Sequence, residues 1–585
     1  MKGMRRPSPG PFPSLALGLA LSVVSCGGTG QGGSGGAPAT GGSAGSPGSG
    51  GTAPVGGATG GGGSAGKAGA AGQAGTGGRT GTGGSAGKGG GTGAGGSAGA
   101  GGRGGSGGSA GMKGSGGAAG SGSSGSAGKG ATGGSSGATG TGGGASAGAC
   151  GAGDTNLPAE PKLPTSVCAT LSATQNVATD AVPDESTPDT PAIQSALTAC
   201  SSGSAVKLVA SGSNNAFLTG PIKVPSGVTL WVDAGVTLYG TRDPNIYGSA
   251  SSLIAVTGSG SGIVGDGVID GQGGEPQIGG TQSWWDLNAG SSGNSPALIQ
   301  VSGATNFTLY RITLHNSPKF HVKLSAAGFV VWGVTIKTPS KATNSAGTAL
   351  SYSNAHNTDG IDPGESASDG TIACSFISDG DDHIAIKGSS STGVTNLTIA
   401  HNHFEAGHGM SIGSEFTGGV SGIKVYDLSI DQTDSGTSGG SSNGIRIKSD
   451  SSRGGLVNDV TYSDVCMKGV YNPILLTPFY SSNTGSDIPQ YTNIKFQNVH
   501  VVSGGSNSPH ITLDGYDDSH LNSVTLDNVI VDGVSSSNVH AQYTDVTMGP
   551  GDVSFTPSGT SVTVTNNVVS GSSTPNPCTN KWVTF

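Results

Sequence analysis

The sequence predicts an all-β protein whose folded part is a parallel β-helix with a short capping helix at its N-terminal end. Two observations support this fold class. Short segments that alternate apolar and polar residues follow one another along most of the folded part. Several of these segments share a pattern of Asn, apolar, polar and apolar residues, and recurrences fall about 25 to 35 residues apart, a spacing typical of solenoids. A β-propeller or a β-sandwich is the alternative, but the segments lack blade signatures.

The first 25 residues form a predicted signal peptide. Basic residues precede an apolar run at residues 14–24 that is too short to span a bilayer as a mature helix. The run leads into Val-Val-Ser-Cys, residues 23–26, which resembles the lipobox of bacterial lipoproteins. The resemblance implies lipidation of Cys26, so we expect an exported protein that is lipid-anchored to a membrane at the bacterial cell surface. The alternative is an ordinary signal peptide and a secreted protein.

Residues 26–150 form a predicted disordered linker. They consist mainly of Gly, Ser, Ala and Thr, contain no aromatic residue and follow no collagen-like period. Such a composition cannot bury a core, so the folded domain is expected at residues 151–585. The formal net charge of −9 gives no electrostatic reason to expect a nucleic-acid partner. We expect a monomer.

The cysteine content permits disulfides, because an even number remains in an exported chain once Cys26 is set aside. These cysteines are Cys150, Cys168, Cys200, Cys374, Cys466 and Cys578. We expect a bond between Cys168 and Cys200. Cys374 and Cys466 lie in strand segments and are expected to be buried thiols, and the pairing of the first and last of the six stays open. No Cys-x-x-Cys or Cys/His cluster suggests a zinc site.

One helix precedes the strands, at residues 189–200. Thr190 is the candidate N-cap and Pro191 suits the first helical position. Ile193, Leu197 and Cys200 fall on one apolar face, which would cover the open end of the solenoid. The strand segments that follow alternate with period two and lie at residues 228–240, 306–316, 329–338, 394–404, 420–430, 456–467, 491–502 and 521–532.

Four polar clusters interrupt the strand pattern. They are Asn-Thr-Asp-Gly at 357–360, Gly-Asp-Asp at 380–382, Gly-His-Gly at 407–409 and Arg-Ile-Lys at 446–448. Asp359 and Asp381 are 22 residues apart, and Asp382 and His408 are 26 residues apart, which is about one coil in each case. Residues one coil apart stack about 4.8 Å from each other. The clusters should therefore meet in one patch on one side of the rod.

Alternation along the strands predicts where these side chains point. In Gly-Ile-Arg-Ile-Lys-Ser, inward-facing isoleucines leave Arg446 and Lys448 on the same outward face. A regular strand at 380–387 would instead bury Asp382 with the isoleucines that follow it. Glycine adjoins the acidic residue or histidine in the other clusters. We therefore expect bends or bulges that turn these side chains toward a common cleft.

The quoted clusters, in this order and spacing, resemble the polygalacturonases of glycoside hydrolase family 28. Upstream Ser-Trp-Trp-Asp-Leu at 283–287 and Asn-Ser-Pro-Lys-Phe-His-Val at 316–322 are similar to bacterial members. The resemblance covers roughly residues 165–530. It implies a right-handed parallel β-helix that cleaves polygalacturonate, the backbone of pectin, without a cofactor or metal.

The family also implies roles for the acidic residues. Asp381 would protonate the leaving glycosidic oxygen, Asp359 and Asp382 would activate water, and His408 would support the acid. Inversion requires one protonated and one ionised carboxyl, separated enough to admit water. We expect the crowding of three carboxylates to raise the pKa of the acid, since they cannot all ionise at low cost.

Basic and polar residues would hold the anionic substrate. By the resemblance, Arg446 and Lys448 bind a substrate carboxylate, and Tyr480 matches a tyrosine near the cleft less securely. Lys387 would help to offset the negative charge of the cleft, and Asn357 of the first cluster is a further substrate-binding candidate. Polygalacturonate carries one carboxylate per sugar, so a cleft of acidic residues alone would repel it.

Two departures from the family bear on the subsites, and other functions remain open. His383 replaces the asparagine that usually follows Gly-Asp-Asp, and residues 344–356 resemble an insertion. Clustered carboxylates could instead hold calcium, as in a pectate lyase. A rhamnogalacturonan hydrolase is a further possibility. A tethered β-helix that binds polysaccharide without turnover is the non-enzymatic alternative, although it would have no reason to keep three converging carboxylates.

Overall fold

A computed structural model describes residues 150–289, 294–389, 392–433, 442–502, 508–566, 576–579 and 581–582. The predicted signal peptide, Cys26 and the predicted linker up to residue 149 lie outside these described residues. Among the helices that are described, none is long and apolar enough to cross a membrane.

The described part of the chain contains three α-helices and 32 strands. The helices are α1 (Thr190–Ala199), α2 (Pro244–Tyr247) and α3 (Trp284–Ala289), with a 3-10 helix at Ser536–Asn538. The strands are β1 (Val167–Ser172), β2 (Ala205–Val209), β3 (Ala216–Thr219), β4 (Ile222–Val224), β5 (Thr229–Val232), β6 (Thr237–Gly240), β7 (Ser252–Val256), β8 (Gly262–Val264), β9 (Val268–Asp270), β10 (Ala297–Thr305), β11 (Thr308–Tyr310), β12 (Thr313–His315), β13 (Val322–Ala327), β14 (Val330–Trp332), β15 (Thr335–Lys337), β16 (Ile361–Pro363), β17 (Ser368–Ala373), β18 (Phe376–Ser378), β19 (Ile384–Ile386), β20 (Val394–Ala400), β21 (His403–Phe404), β22 (Met410–Gly413), β23 (Val420–Asp431), β24 (Asn443–Lys448), β25 (Leu456–Lys468), β26 (Asn472–Thr477), β27 (Gln490–Val502), β28 (Ile511–Asp514), β29 (Asn522–Val531), β30 (Val539–Gln542), β31 (Thr544–Met548) and β32 (Val562–Asn566).

The strands stack in three columns, and the pairings within each column are parallel. The first column runs β1, β2, β5, β8, β11, β14, β17, β20, β23, β25, β27, β29, β31 and β32. The second runs β3, β6, β9, β12, β15, β18 and β21, and joins the first at the long strand β23. The third runs β4, β7, β10, β13, β16, β19, β22, β24, β26, β28 and β30. The predicted parallel β-helix is confirmed.

The asparagine of the sequence repeat is a corner residue. Asn306, Asp369, Asn396, Asp459 and Asn493 lie near the starts of first-column strands, and all have φ between 52° and 57°. Asn and Asp tolerate this left-handed conformation better than other non-glycine residues. The corners also bond from coil to coil, since Asn396 Nδ2 donates to Asp369 Oδ1 at 3.1 Å and Asn493 Nδ2 to Asp459 Oδ1 at 3.3 Å.

The inward-facing apolar residues form one continuous core, and α1 packs against its N-terminal end. Ile193 and Leu197 of α1 are fully buried in this core, as predicted for the capping helix. The predicted cap residue was wrong by one position, because Asp189 is the N-cap and Thr190 is the first helical residue. The Asp189 carboxylate does not cap the helix by a side-chain bond. It accepts a hydrogen bond at 3.0 Å from the backbone N–H of Leu218, which ties the helix to β3.

Two of the three disulfides involve cysteines in the segment that precedes α1 or directly flanks it. Cys168 and Cys200 are bonded, as predicted. The prediction that Cys374 is a buried thiol was wrong, because it is bonded to Cys150. Cys374 follows β17 at a corner with φ of 58°, and it lies in a small apolar cluster outside the main core, together with Trp332 and part of the segment that begins at Cys150.

The third disulfide fastens the C-terminal segment. The prediction that Cys466 is a buried thiol was also wrong, because it is bonded to Cys578. Cys466 lies on β25 directly after Val465, which points into the core, so its sulfur faces outward. The residues around Cys578 cover this position, and Cys578 Sγ lies 3.5 Å from the backbone oxygen of His500.

Candidate active site

The polar clusters meet where successive coils enter the third column. Asp359 precedes β16, Asp381 and Asp382 lie between β18 and β19, and His408 precedes β22. Of these strands, β16, β19 and β22 are neighbours in the third column. The expected bend is present, because the chain bends around Asp381 and β19 begins only at Ile384. Asp382 therefore precedes the regular strand, and the alternation that would have pointed its side chain into the core does not apply to it.

Asp382 is the most enclosed carboxylate of the predicted set. Its side chain is 2% exposed, and Arg446 Nη2 donates to its Oδ1 while Lys448 Nζ donates to its Oδ2 at 2.8 Å. Ser411 Oγ also donates to Oδ1 at 2.8 Å. Arg446 and Lys448 share one face of β24, as the alternation predicted. They are almost buried, so in the free protein their charges are turned toward Asp382.

Asp381 is the carboxylate that stays open to the cleft. Its side chain is 21% exposed, and His408 Nδ1 lies 3.1 Å from its Oδ1. The backbone N–H of His408 also donates to the backbone oxygen of Asp381 at 2.6 Å. Asn357 Nδ2 lies 3.5 Å from Asp381 Oδ2, at the limit of a hydrogen bond. The structure therefore brings His408 and Asn357 to the predicted acid.

Asp359 belongs to a second ion cluster, which the sequence only partly revealed. Lys387 Nζ donates to Asp359 Oδ2 at 2.8 Å and to Asp362 Oδ2 at 3.0 Å. Sequence reasoning missed Asp362. The signal was present in Ile-Asp-Pro, because an acidic residue between two apolar residues of a short strand must lie on the outward face. Lys387 is thus engaged by two carboxylates and is not a free cation of the cleft.

The carboxylates of the site fall into two groups, those whose pKa is raised and those whose pKa is lowered. Burial raises the pKa of Asp359 well above its ordinary value, against the pull of Lys387. Burial likewise raises the pKa of Asp362 to about 6, again opposed by Lys387. For Asp381, burial would also raise the pKa, but His408, Lys448 and Arg446 outweigh it and hold the pKa below the ordinary value. The pKa of Asp382 is lowered by the same competition, with Arg446 and Lys448 outweighing burial.

This result corrects the expected location of the retained proton. Crowding was expected to raise the pKa of the acid, Asp381, but in the free protein the nearby cations prevent this. The carboxyl that holds a proton most readily among the three is Asp359, which is buried and shares its single cation with Asp362. Sequence spacing could place the carboxylates together, but it could not show how the cations divide among them.

His383, the departure from the family pattern, faces away from the cleft and supports a turn. Its Nδ1 accepts the backbone N–H of Gly409 at 3.0 Å, and its ring stacks on Phe404 with centroids 4.5 Å apart. Burial lowers the pKa of His383 to about 3, so the ring is neutral. A Cβ at Gly407, where φ is 146°, would lie 2.6 Å from the His383 ring. His383 and Gly407 together therefore position the turn that carries His408.

Tyr480 lies at the edge of the site. Its side chain is 47% exposed, and Lys448 Nζ lies 4.8 Å from the ring centroid. The backbone N–H of Tyr480 donates to the oxygen of Ser449 at 2.8 Å, which fixes the start of this loop beside β24. The predicted tyrosine is thus near the two cations, with about half of its surface exposed.

The apparent insertion at residues 344–356 packs under the Gly-Asp-Asp turn. Ala355 is fully buried, and a Cβ at Gly380 would lie 2.2 Å from its backbone oxygen. Ser378 Oγ donates to the Tyr352 hydroxyl at 3.1 Å. Asn344 Nδ2 donates to the Gly274 oxygen at 3.1 Å, which ties the loop to an earlier coil. The insertion therefore packs against the Gly-Asp-Asp turn and supports it.

Asp381, Asp382 and His408 could in principle ligate a metal ion, since their ligand atoms lie within 4.8 Å of one another. Both oxygens of Asp382 already accept bonds from Arg446 and Lys448. Because Arg446 and Lys448 are both bonded to Asp382, their positive charges would repel a divalent ion bound there. The donor set therefore does not suit a calcium site.

Comparisons with known proteins agree with this geometry. Residues 200–550 match the model of the family described as glycosyl hydrolases family 28. A polygalacturonase of Ralstonia nicotianae is 39% identical over 497 residues, which covers 73% of this chain and 91% of that protein. An endo-polygalacturonase of Pectobacterium parmentieri is 41% identical over 400 residues, covering 65% of this chain and 90% of that protein. The solved polygalacturonase of Erwinia carotovora ssp. carotovora is 37% identical with a TM-score of 0.57, and the match covers 67% of this chain and 99% of that one.

Proposed function

The chain belongs to glycosyl hydrolase family 28 and is a glycosidase, and we propose that it hydrolyses the α-1,4-galacturonosyl linkages of polygalacturonate in pectin with inversion at the anomeric carbon. The observation that carries this proposal is the meeting of Asp359, Asp381 and Asp382 beside Arg446 and Lys448. Carboxyl groups supply acid and base, and the cations match a substrate that has a carboxylate on every sugar.

In this proposal Asp381 is the general acid, because it is the carboxylate exposed to the cleft and bonded to His408. Asp382, whose pKa is lowered by Arg446 and Lys448 against burial, activates the attacking water as the base, and Asp359 helps to hold that water. Against burial, His408 contributes most to lowering the pKa of Asp381, followed by Lys448 and Arg446, and a substrate carboxylate that binds Lys448 and Arg446 offsets the charge of these two cations. Binding of substrate therefore raises the pKa of Asp381 and favours the protonated form that acts as the acid.

The cellular location is also part of the proposal. The enzyme is exported as a monomer and anchored at the bacterial cell surface through lipidated Cys26, with the predicted linker up to residue 149 as the tether. Cys150, which was predicted as part of the linker, belongs to the folded part through its bond to Cys374. The sequence Val-Val-Ser-Cys motivates the anchor. Three disulfides support export, because such bonds persist in oxidising compartments and are rare in the cytosol.

The substrate assignment is tested by reducing-sugar release from polygalacturonate and from highly methyl-esterified pectin, whose carboxyl groups are neutral. Wild type should prefer the de-esterified polymer. Arg446→Ala or Lys448→Ala should raise KM strongly on polygalacturonate, because each variant loses a charged contact with the substrate worth about 2–5 kcal/mol. The rise in KM should be much smaller on the methyl-esterified pectin. Arg311→Ala is the matched control, since Arg311 pairs with Asp266 outside the third column.

Three outcomes would contradict the assignment. Equal losses on both polymers would remove the role of Arg446 and Lys448 in carboxylate binding. A wild-type preference for a neutral polysaccharide, or binding of polygalacturonate without release of reducing ends, would remove polygalacturonate hydrolysis itself.

A further inference from the structure

A groove continues from the acidic cluster along the third column toward the N-terminal end. Two cavities of about 580 Å³ and 390 Å³ share Gln300, Phe320 and Lys323 in their linings. The larger one reaches Asp362 and Lys387, so it opens onto the ion cluster around Asp359. We call the joined cavities the N-terminal groove.

Three lysine side chains surround one aromatic ring in this groove. The ammonium nitrogens of Lys319, Lys323 and Lys387 lie 5.2, 5.6 and 4.7 Å from the ring centroid of Phe320. The ring face offsets part of their mutual repulsion. Lys387 is neutralised by Asp359 and Asp362.

The other two lysines differ from Lys387, because neither Lys319 nor Lys323 forms an ion pair with a described residue. Burial lowers the pKa of Lys319, and the nearby charges of Lys323 and Lys387 act in the same direction, while Asp359 opposes them. Asp362, Glu365 and Glu415 also line the larger cavity, but none of them forms an ion pair with Lys319 or Lys323. Cations without an ion-pair partner favour binding of an external anion.

The strand register places this pair at a defined distance from the proposed carboxylate-binding pair. Lys323 is in register with Asp362, and Ala385, Ser411 and Arg446 follow on the next coils of the third column. Lys323 and Arg446 are therefore four coils apart, which at about 4.8 Å per coil is roughly 19 Å. A linear polysaccharide lying along the column would need several sugars to reach from one position to the other.

We propose that Lys319 and Lys323, with the Phe320 ring between them, form a second carboxylate-binding subsite that holds a polygalacturonate chain several sugars away from the bond that is cleaved. This inference rests on the proposed function. Phe320 offers a partly exposed ring to the apolar face of a sugar, while the two ammonium groups bind the carboxylates of that sugar and its neighbour.

The subsite makes binding depend on chain length. An oligomer that reaches both Arg446 and the N-terminal groove gains the second set of charged contacts, and a shorter one does not. Because Lys323 is exposed at the edge of the groove, its contribution should weaken as salt rises.

The test measures kcat/KM over galacturonate oligomers of increasing length and over polygalacturonate. Lys319→Ala and Lys323→Ala should each lower kcat/KM on long substrates roughly fivefold, the effect of losing one exposed ionic contact. The double variant should lose more, and the loss should grow with oligomer length. Lys319→Arg and Lys323→Arg, which keep the charge, should restore most of the long-substrate activity. Lys424→Ala is the matched control, since Lys424 is an exposed lysine of β23 in the first column.

The outcomes distinguish this inference from the proposed function. A wild type that cleaves polygalacturonate, with lysine variants whose losses are the same at every length, or absent, would overturn the subsite and leave the proposed function standing. A wild type that neither cleaves nor binds polygalacturonate in calorimetry would overturn both. Length-dependent loss that the arginine variants rescue supports the subsite.

Discussion

Replacing Asp382 by Asn should separate substrate binding from catalysis. In the free protein both oxygens of Asp382 are bonded to Arg446 and Lys448, so a substrate carboxylate must compete with an internal carboxylate for the same two cations. The substitution keeps the size of the side chain and removes its charge. We therefore expect Asp382→Asn to bind oligogalacturonate more tightly than wild type while it loses turnover.

The size of each effect follows from these contacts. Loss of a positioned acid–base group lowers kcat by about 10²–10⁴-fold. Freeing two nearly buried cations should strengthen binding of an anionic sugar by roughly 1–2 kcal/mol, or about 5–30-fold in Kd, which is below the full value of a buried charge pair because the Asn amide still contacts them. Leaving Arg446 and Lys448 unpaired should lower the free energy of unfolding by about 3–5 kcal/mol.

Calorimetry with a galacturonate oligomer measures the affinity, and thermal unfolding with and without the oligomer measures the linked stability. The variant should show a lower Tm and a larger upward shift on adding ligand than wild type, because the ligand replaces the missing charge. Glu185→Gln is the control, since Glu185 pairs with Arg242 outside the third column, 3.0 Å apart. An unchanged or weaker affinity in Asp382→Asn would show that these cations do not bind the substrate carboxylate.

Three further predictions follow. Asp381→Asn should lower kcat by about 10²–10⁴-fold with an unchanged circular dichroism spectrum; activity near the wild-type level would exclude Asp381 as the acid. Because burial raises the pKa of Asp362 to about 6, the native state binds more protons than the unfolded chain, so this contribution to stability is full below about pH 4 and is lost as pH rises through 6. Asp362→Asn should remove that part of the pH dependence in denaturant titrations; an identical pH profile would contradict it. Cys26→Ser should abolish incorporation of labelled fatty acid, and a wild-type chain that takes up no label would exclude the lipid anchor.

Much of the fold was predictable because period-two alternation depends only on adjacent residues. The corner asparagines were visible as a repeat, although the reason for them, a left-handed backbone at Asn306, Asn396 and Asn493, required the structure. The bonds Cys150–Cys374 and Cys466–Cys578 were not predictable, because they join segments 224 and 112 residues apart whose contact depends on how the ends fold back on the solenoid.

The sequence predicted most of the residues that form the site, but it predicted their pKa values less well. Spacings of about one coil brought Asp359, Asp381 and His408 together correctly. Asp362 was missed because, although Ile-Asp-Pro places it on the outward face, the sequence does not show that it shares Lys387 with Asp359. The pKa of Asp381 was predicted in the wrong direction, since the sequence does not reveal that His408, Lys448 and Arg446 all act on it.

The most direct measurement for the central claim is the configuration of the first product, followed by proton NMR during cleavage of an α-linked galacturonate oligomer in the presence of a chelator. We expect undiminished hydrolysis and initial release of the β-anomer, because water attacks opposite the bond that Asp381 protonates. Initial release of the α-anomer, or an unsaturated product that absorbs in the ultraviolet and forms only when calcium is added, would contradict it.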